Sequence, residues 1–384
     1  MWEYPFGQQI NARGEEDYAK CITPVDLRDH YKSYKHSSSS KQVKQVVRRN
    51  AKQVRDVVLT SWLPQRMDPH ISSKNANFYL NTPKGGRNAI LYVDFVYTQL
   101  IRHTYVLLHS LNVSKRKGKK FNFSKIFTYK YNYKPCEEHQ VGKYLDHYNI
   151  SSDLAGGAHF FTYSWAGKKK KKKKRETGKE IGEETEADAE TDAETAQRGS
   201  KANFNMCIYL PTEKEVDILF IVQKLHKYFH FNLYVPITTE ENSLFFFPFD
   251  LHNNLLVKHR FGIFVPYLYL HHCAEGGTNR GSSLHLNLSP SNLVTDTLYD
   301  FSFTERENIF FIPLLAYNNY GARVGSGKGY YDRALRQGGE EEEKKNVKVS
   351  LSLEVLLYEI DFLEPTDILL DYVVNERGVY HFVS

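Results

Sequence analysis

The residues of this chain best suited to chemistry lie in one glycine-rich stretch, residues 321–333. Its glycines at alternate positions remove every second Cβ, which lets backbone N–H groups approach an anion closely. Arg323 and Lys328 add positive charge, and the dipole of a helix predicted to begin at Tyr330 adds more. We therefore predict a phosphate-binding loop, beside which Asp332 is placed to hold a divalent cation.

The stretch matches neither of two common nucleotide-binding motifs. A P-loop would need glycine at position 322, which is alanine, and Ser or Thr after Lys328, where Gly329 stands. A dinucleotide-binding fingerprint fails because the third glycine comes one residue early. From glycine content alone, a flexible surface turn remains an equal alternative.

Composition limits the class of protein. The chain has 384 residues, of which 41% are hydrophobic, and this is ample for a buried core. The net charge of +6 comes partly from local runs, so it indicates a nucleic-acid partner only weakly. Four widely spaced cysteines favour neither a disulfide framework nor a zinc site. With no signal-peptide pattern and no uncharged apolar run of spanning length, we expect a soluble, cytoplasmic protein without a membrane partner.

Charge runs divide the chain. We predict an N-terminal extension over residues 1–40 and a single α/β domain over 41–384. Residues 112–203 form an insertion, Lys-rich and then acidic, that we expect to be largely disordered; a nuclear localisation signal and an RNA-binding tail remain alternatives. A loop insertion is predicted at 267–303, where the His and Cys spacing fits no zinc template, and a short acidic one at 338–346. Whether residues 160–165 add a strand stays open.

Periodicity predicts the elements that position the loop. Residues 41–62 form a helix with a valine face and a basic face, and a second helix covers residues 87–111. A β-α-β unit over residues 205–236, whose helix opens at Glu215, predicts parallel strands. An apolar strand over 309–317 leads directly into the glycine-rich stretch. The basic helix face has a plain alternative, namely a solvated surface.

The order Gly-x-Arg-hydrophobic-Gly-x-Gly-x-Gly-Tyr-Tyr-Asp-Arg, after a strand ending Pro-x-x-Ala-aromatic, resembles the signature of the 5-formyltetrahydrofolate cyclo-ligase (methenyltetrahydrofolate synthetase) family. Segments 41–62, 204–266 and 347–376 resemble the family in the same order. The resemblance implies a three-layer α/β/α domain with a mostly parallel central sheet. It also implies ATP- and Mg²⁺-dependent cyclisation of 5-formyltetrahydrofolate to 5,10-methenyltetrahydrofolate, with release of ADP and phosphate through a phosphorylated N5-iminium intermediate.

The resemblance assigns roles residue by residue. Catalysis falls to Arg323, Lys328 and Tyr330. ATP binding falls to Lys44, Arg48, Arg323, Gly325, Ser326, Gly327, Lys328, Gly329, Tyr330 and Tyr331. Substrate binding falls to Leu210, Glu215, Ser326, Gly327, Lys328, Gly329 and Tyr330. The magnesium ligands implied are Asp332 and Asp367. The other expected partner is the folate, including its polyglutamylated forms; we expect a monomer and no nucleic acid.

Four positions depart from the family pattern: Val265, Leu314, Asn318 and Ser326. Two other functions therefore stay under consideration. One is a degenerate protein that binds ATP and folate without turnover. The other is an RNA-binding protein that acts through the lysine-rich insertion, for which a strong salt dependence would be diagnostic.

Overall fold

The computed structural model of the protein describes residues 22–26, 40–60, 79–80, 90–147, 160–163, 204–212, 214–238, 244–252, 254–258, 263–267, 307–336, 346–358 and 363–383. The predicted extension 1–40 and the predicted insertions 267–303 and 338–346 lie almost wholly outside these ranges. The proposed domain boundaries therefore stay predictions.

Within the described residues the chain forms five α-helices and sixteen strands. The helices are α1 (Ser40–Thr60), α2 (Tyr92–Ser110), α3 (Glu138–His147), α4 (Ile218–Leu225) and α5 (Tyr330–Arg336). The strands are β1 (Ile22–Asp26), β2 (Tyr79–Leu80), β3 (Ile90–Leu91), β4 (Tyr133–Pro135), β5 (Phe160–Tyr163), β6 (Phe204–Cys207), β7 (Asn232–Thr238), β8 (Leu244–Pro248), β9 (Leu256–Lys258), β10 (Phe264–Pro266), β11 (Glu307–Phe311), β12 (Ala316–Tyr317), β13 (Arg323–Val324), β14 (Asn346–Leu351), β15 (Tyr372–Val374) and β16 (Val379–Val383). None of these helices has the length and apolar character needed to cross a membrane.

An eight-stranded sheet with the order β1-β16-β15-β14-β11-β6-β7-β8 forms the centre of the fold. Only the pairs β15–β16 and β7–β8 are antiparallel, and the other pairs are parallel. Strand β11 lies in the middle and is buried from Asn308 onward, as its continuous apolar run requires. The predicted β-α-β unit is β6-α4-β7, and its strands are parallel. The α/β class with a mostly parallel sheet is confirmed.

The predicted strand over residues 309–317 was wrong in its length. Strand β11 ends at Phe311, and the chain pairs again in the short hairpin of β12 with β13, where Tyr317 also bridges to Leu357. Pro313 lies between the two strands and has no amide hydrogen to donate to a neighbouring strand. The chain therefore leaves the central sheet just before the glycine-rich stretch.

An asparagine ladder (Asn232, Asn205, Asn308 and Asn346) crosses the four central parallel strands near their first residues. Each side-chain amide donates to the next: Asn232 Nδ2 to Asn205 Oδ1 at 3.0 Å, Asn205 Nδ2 to Asn308 Oδ1 at 2.9 Å, and Asn308 Nδ2 to Asn346 Oδ1 at 2.9 Å. The four residues are directly paired in the strand register. Because a one-residue slip would break the ladder, it fixes the register of the sheet at the end remote from the glycine-rich stretch.

The described part of the predicted insertion is ordered, so the expectation of disorder was wrong for residues 112–147. Strands β4 and β5 join β9 and β10 in a four-stranded antiparallel sheet. Of residues 160–165, for which a strand was left open, residues 160–163 form β5 and the other two lie outside the described residues. The rings of Tyr97 and Tyr129 stack with centroids 3.9 Å apart, and the Tyr129 and Tyr163 hydroxyls both donate to Asp217. This aromatic stretch buries enough apolar surface to become ordered. Residues 148–159 and 164–203 lie outside the described residues.

A buried histidine on α2 gives a pH-dependent stability. His103 Nδ1 lies 2.7 Å from the carbonyl oxygen of Asn375, and burial lowers the pKa of His103 to about 4. The unfolded chain, with a histidine pKa near 6.5, then binds more protons, so stability falls as pH drops from about 6.5 towards 4. We expect a loss of up to about 3 kcal/mol.

Urea unfolding at pH 7 and pH 5 tests this expectation. His103→Gln should remove the part of the difference that His103 contributes, about 2 kcal/mol, and leave the part due to His226, whose pKa burial lowers to about 3. His147→Gln, at an exposed position, should keep the whole difference. An unchanged pH dependence in His103→Gln would contradict the assignment to His103.

Candidate active site

A cavity of about 1060 Å³ opens between α1, the glycine-rich loop (residues 321–329) and the acidic turn (residues 363–370). The predicted site residues that line it are Lys44, Arg48, Glu215, Arg323, Gly325, Ser326, Gly327, Lys328, Gly329, Tyr330, Tyr331, Asp332 and Asp367. Leu210 is the predicted site residue that the structure does not bring to the cavity, because its side chain is buried in the core. Among the positions that depart from the family pattern, Leu314 and Ser326 line the cavity.

The turn before the glycine-rich loop is held by Asn318. Its Oδ1 accepts the backbone N–H groups of Tyr320 and Ala322, each at 3.0 Å, and the residue is fully buried. This turn needs an acceptor oxygen, which the amide supplies as well as a carboxylate would. Asn318 departs from the family pattern, and its amide nevertheless keeps the local structure of the turn intact.

Gly321 allows the turn held by Asn318 to pass close to the acidic turn. Its φ is +77°, and a Cβ there would lie 2.9 Å from the backbone oxygen of Leu370 and 3.1 Å from the ring of Phe382. Gly321→Ala should therefore reduce the free energy of unfolding by about 2 kcal/mol, from backbone strain and steric conflict.

Gly325→Ala is the matched control for this prediction, because a Cβ at Gly325 has nothing within 4 Å. We expect its free energy of unfolding to stay within about 0.5 kcal/mol of the parent. Urea unfolding of the two variants measures the difference. Equal stabilities would show that Gly321 has no steric role.

The glycine-rich loop is exposed over Ser326, Gly327 and Lys328, and α1 holds it from one side. Arg48 Nε donates to the backbone oxygen of Gly325 at 3.0 Å. Gly327 has φ of +94°, and a Cβ there would lie 3.3 Å from the Arg48 guanidinium carbon. The absence of a side chain at Gly327 thus lets a cationic group lie directly against the exposed backbone, as an anion site requires.

Helix α1 presents a basic row to the cavity. Val47 and Ala51 on its apolar face pack against the β12–β13 hairpin. The basic side chains that line the cavity are Lys41, Lys44, Arg48, Lys52 and Arg55. They are three or four residues apart and so share one face. The alternative of a solvated basic face holds for Lys41 and Lys52, which are exposed, but not for Lys44, which is buried, or for Arg48 and Arg55, which are partly buried. Lys44 is buried, and its Nζ donates to Asp367 Oδ1 at 2.6 Å and Oδ2 at 2.5 Å.

Arg323 links three parts of the site. Its Nη1 donates to the backbone oxygen of Ile368 at 2.9 Å, and its Nη2 donates to Asp332 Oδ1 at 2.9 Å. The same Asp332 oxygen accepts the Ile368 N–H at 3.2 Å. A strand, a helix start and the acidic turn therefore meet at one buried guanidinium.

The two predicted magnesium ligands differ in their fit to a metal. Both oxygens of Asp367 are bound to Lys44. Asp332 uses Oδ1 for the bonds above, and its Oδ2 lies 4.0 Å from where a Gly329 Cβ would be, close to the glycine-rich loop. The described residues contain no group of three His, Cys, Asp or Glu side chains that could hold a metal. Asp332 fits a single carboxylate contact to a phosphate-bound ion, and Asp367 fits an anchor for Lys44.

Glu215 lines the cavity next to Lys214, which contacts Asp56 near the end of α1, and it does not open a helix as predicted. Helix α4 begins at Ile218 because Asp217 caps it, accepting the Phe220 N–H at 3.0 Å. Glu215 Oε2 instead accepts from the Thr212 N–H and hydroxyl, both at 2.9 Å. Burial, with Glu215 adding to it, raises the pKa of Tyr331, so its hydroxyl stays protonated.

Several lining residues lie outside the glycine-rich motif and the strand pattern before it, among them Arg55, Arg336, Glu364 and Thr366. Arg336 Nη2 donates to the backbone oxygen of Pro365 at 3.0 Å, and the Arg333 guanidinium lies 5.5 Å from the centre of the Tyr330 ring. The helical spacing of basic residues on α1 could have indicated Arg55. The contact from Arg336 to Pro365 joins residues that are far apart in sequence, whereas Arg333 and Tyr330 are one helical turn apart.

The chain was compared with known proteins. A model of the 5-formyltetrahydrofolate cyclo-ligase family matches residues 168–376. The chain is similar to the 5-formyltetrahydrofolate cyclo-ligases of Mycoplasma pneumoniae, with 38% identity over 69 residues, and Mycoplasma genitalium, with 40% over 66 residues. These matches cover 18% and 17% of this chain, and only 38% and 34% of the two relatives.

Two solved structures were also found to be similar. The 5,10-methenyltetrahydrofolate synthetase of Mycoplasma pneumoniae is 18% identical, with a TM-score of 0.26, and the match covers 45% of this chain and 73% of that one. The enzyme of the same name from Aquifex aeolicus is 22% identical, with a TM-score of 0.31, and the match covers 47% of this chain and 73% of that one. The family model does not reach α1, so the placement of Lys44 and Arg48 in the site comes from the geometry of this chain.

Proposed function

The chain belongs to the 5-formyltetrahydrofolate cyclo-ligase family, and from this premise we propose that it converts 5-formyltetrahydrofolate to 5,10-methenyltetrahydrofolate with ATP, releasing ADP and phosphate. One observation carries the proposal. The basic row of α1 and the exposed glycine-rich loop face each other across a single cavity, which Glu215 also lines. Such a site provides charge neutralisation and positioning, which are what phosphoryl transfer needs from a protein.

The proposed reaction has two steps. The formyl oxygen attacks the γ-phosphorus of ATP, the bond from that phosphorus to the bridging oxygen of ADP breaks, and an N5-iminium phosphate forms. The N10 lone pair then attacks the formyl carbon, the carbon–oxygen bond breaks, and phosphate leaves with that oxygen. The N10 proton passes to solvent. The first step turns a poor leaving group into a good one, so no strong base is required.

The side chains would share this work as follows. Arg48, Lys328 and the backbone N–H groups of the glycine-rich loop bind the phosphates. Arg323 holds the strand, the helix start and the acidic turn in place around them. Mg²⁺ bound with the nucleotide would be held by phosphate oxygens and Asp332, and it would supply further charge neutralisation. The hydroxyls of Tyr330 and Tyr331 and the carboxylate of Glu215 orient the folate.

The test is absorbance at the methenyl product band with the full chain, 5-formyltetrahydrofolate, ATP and Mg²⁺. We expect a rise that requires ATP, and none with tetrahydrofolate, which lacks the formyl group. ATP binding without a rise would identify the degenerate alternative, a binding protein without turnover. Neither binding nor a rise would refute the proposal.

A further inference from the structure

Arg55, the last member of the basic row, has an unsatisfied donor. Its Nε is buried and has no hydrogen-bond partner, and its side chain is only 14% exposed. Its Nη2 lies 3.6 Å from Asp56 Oδ1, beyond hydrogen-bond distance, while Asp56 Oδ2 accepts from Lys214 Nζ at 3.1 Å. A buried guanidinium N–H without an acceptor is unfavourable in the free protein. A ligand oxygen at this position would remove that cost.

The position of Arg55 separates it from the phosphate end of the cavity. It lies seven residues after Arg48, hence on the same face of α1 and about 10 Å further along the helix. Arg48 contacts the glycine-rich loop, whereas Arg55 lines the wall that includes Glu215. The same two residues also line a small adjoining cavity of about 20 Å³. The basic row thus reaches from the phosphate end to the Glu215 end.

The Glu215 end has the chemistry of a folate site. Glu215 is held by Thr212, and Pro313 and Leu314 give apolar surface on which a ring can lie. Arg55 adds a cationic group with a buried Nε that no acceptor among the described residues satisfies. Its planar guanidinium matches the two oxygens of a carboxylate, while the phosphates lie about 10 Å away along α1, at Arg48.

We propose that Arg55 is a substrate-positioning residue whose guanidinium binds a carboxylate of the glutamate moiety of the folate. The inference rests on the proposed function and names the part of the substrate that the second half of the basic row recognises. Arg48 and Arg55 then divide one helix face between two ligands, with ATP phosphates at Arg48 and the folate tail at Arg55.

Equilibrium binding by calorimetry tests the division with the full chain. Arg55→Gln should weaken 5-formyltetrahydrofolate binding by at least roughly tenfold, the effect of one charge-assisted hydrogen bond. Two affinities should stay within about twofold of those of the parent chain. They are the affinity for a non-hydrolysable ATP analogue and the affinity for a folate analogue that ends in an unsubstituted benzamide in place of glutamate. Arg48→Gln should show the reverse, weakening only the ATP analogue. Arg49→Gln, an exposed change of the same charge, should alter none of them.

Two further results bear on the inference. If Arg55→Gln weakens both folates equally, or neither, the carboxylate assignment is overturned. If the parent chain binds no 5-formyltetrahydrofolate, the proposed function fails and the inference fails with it, which is a distinct outcome. Arg55→Lys keeps the charge without the fork, so its folate affinity should fall between those of the parent and Arg55→Gln, and it serves as the readout if Arg55→Gln does not fold.

Discussion

Arg323→Ala is expected to lower kcat/KM for ATP by about 100-fold, the effect that a displacement of the positioned groups by about 1 Å can have on a reaction. Arg323 is buried, and both of its described hydrogen bonds go to parts of the phosphate site, Ile368 and Asp332. Its removal takes away a positive charge and also frees Asp332 from its ion pair. Steady-state measurement of methenyl formation gives the effect directly.

Two comparisons separate the charge of Arg323 from its positioning role. Arg323→Lys keeps the charge but cannot bond Ile368 and Asp332 together, so we expect it to recover less than about a tenth of the activity. In a cycle of Arg323→Ala, Asp332→Ala and the double variant, the double should be little worse than Arg323→Ala, because the two residues act as one unit. Additive losses would show that Arg323 and Asp332 do not act as one unit. Activity of Arg323→Ala within threefold of the parent would show that Arg323 has no role in the reaction.

The glycine-rich loop was predictable because its chemistry is local. Gly327, Lys328 and Asp332 lie within a few residues of one another, and the strand before them and the helix after them follow from hydrophobic runs and from the loop itself. Lys44 was predictable only through the family pattern. Its partner Asp367 lies 323 positions away in sequence, and no spacing rule connects two such residues.

The contacts that the sequence could not predict are those made between distant segments. In the sequence, Asp217 has only the features of an ordinary acidic residue at the start of a helix. In the structure it accepts hydrogen bonds from Tyr129 and Tyr163 of the inserted segment. That segment was judged by its charge runs, although its tyrosines and phenylalanines are what pack in the core. The sequence shows Arg55 only as one of several charges on a basic helix face. The residues that line the cavity with it include Pro313 and Leu314, which lie far along the chain.

The asparagine ladder gives the largest expected effect on stability. Asn308 is fully buried at its centre, donating to Asn346 and accepting from Asn205. Asn308→Ala leaves a buried N–H and a buried oxygen without partners, at about 1–3 kcal/mol each, so we expect the free energy of unfolding to fall by about 4 kcal/mol. Urea unfolding at pH 7 measures this loss.

The ladder contains its own control. Asn232 lies at one end, is only half-buried, and makes one ladder bond, to Asn205. Asn232→Ala should therefore cost about 1 kcal/mol. Equal losses at the two positions would show that the ladder is not a connected network.

Asn308→Asp tests the direction of the ladder through its pH dependence. The ionised carboxylate can still accept from Asn205 but cannot donate to Asn346, and burial of its charge raises its pKa in the folded state. At position 308 the folded variant then binds more protons than the unfolded chain, because the protonated carboxyl can donate to Asn346 Oδ1. His103 destabilises both the variant and the parent as pH drops, so the quantity to compare is the difference in stability between them, which should shrink as pH falls below the raised pKa. If the stability of Asn308→Asp changes with pH in the same way as that of the parent, the Asn308 side-chain N–H does not donate to Asn346 in the ladder.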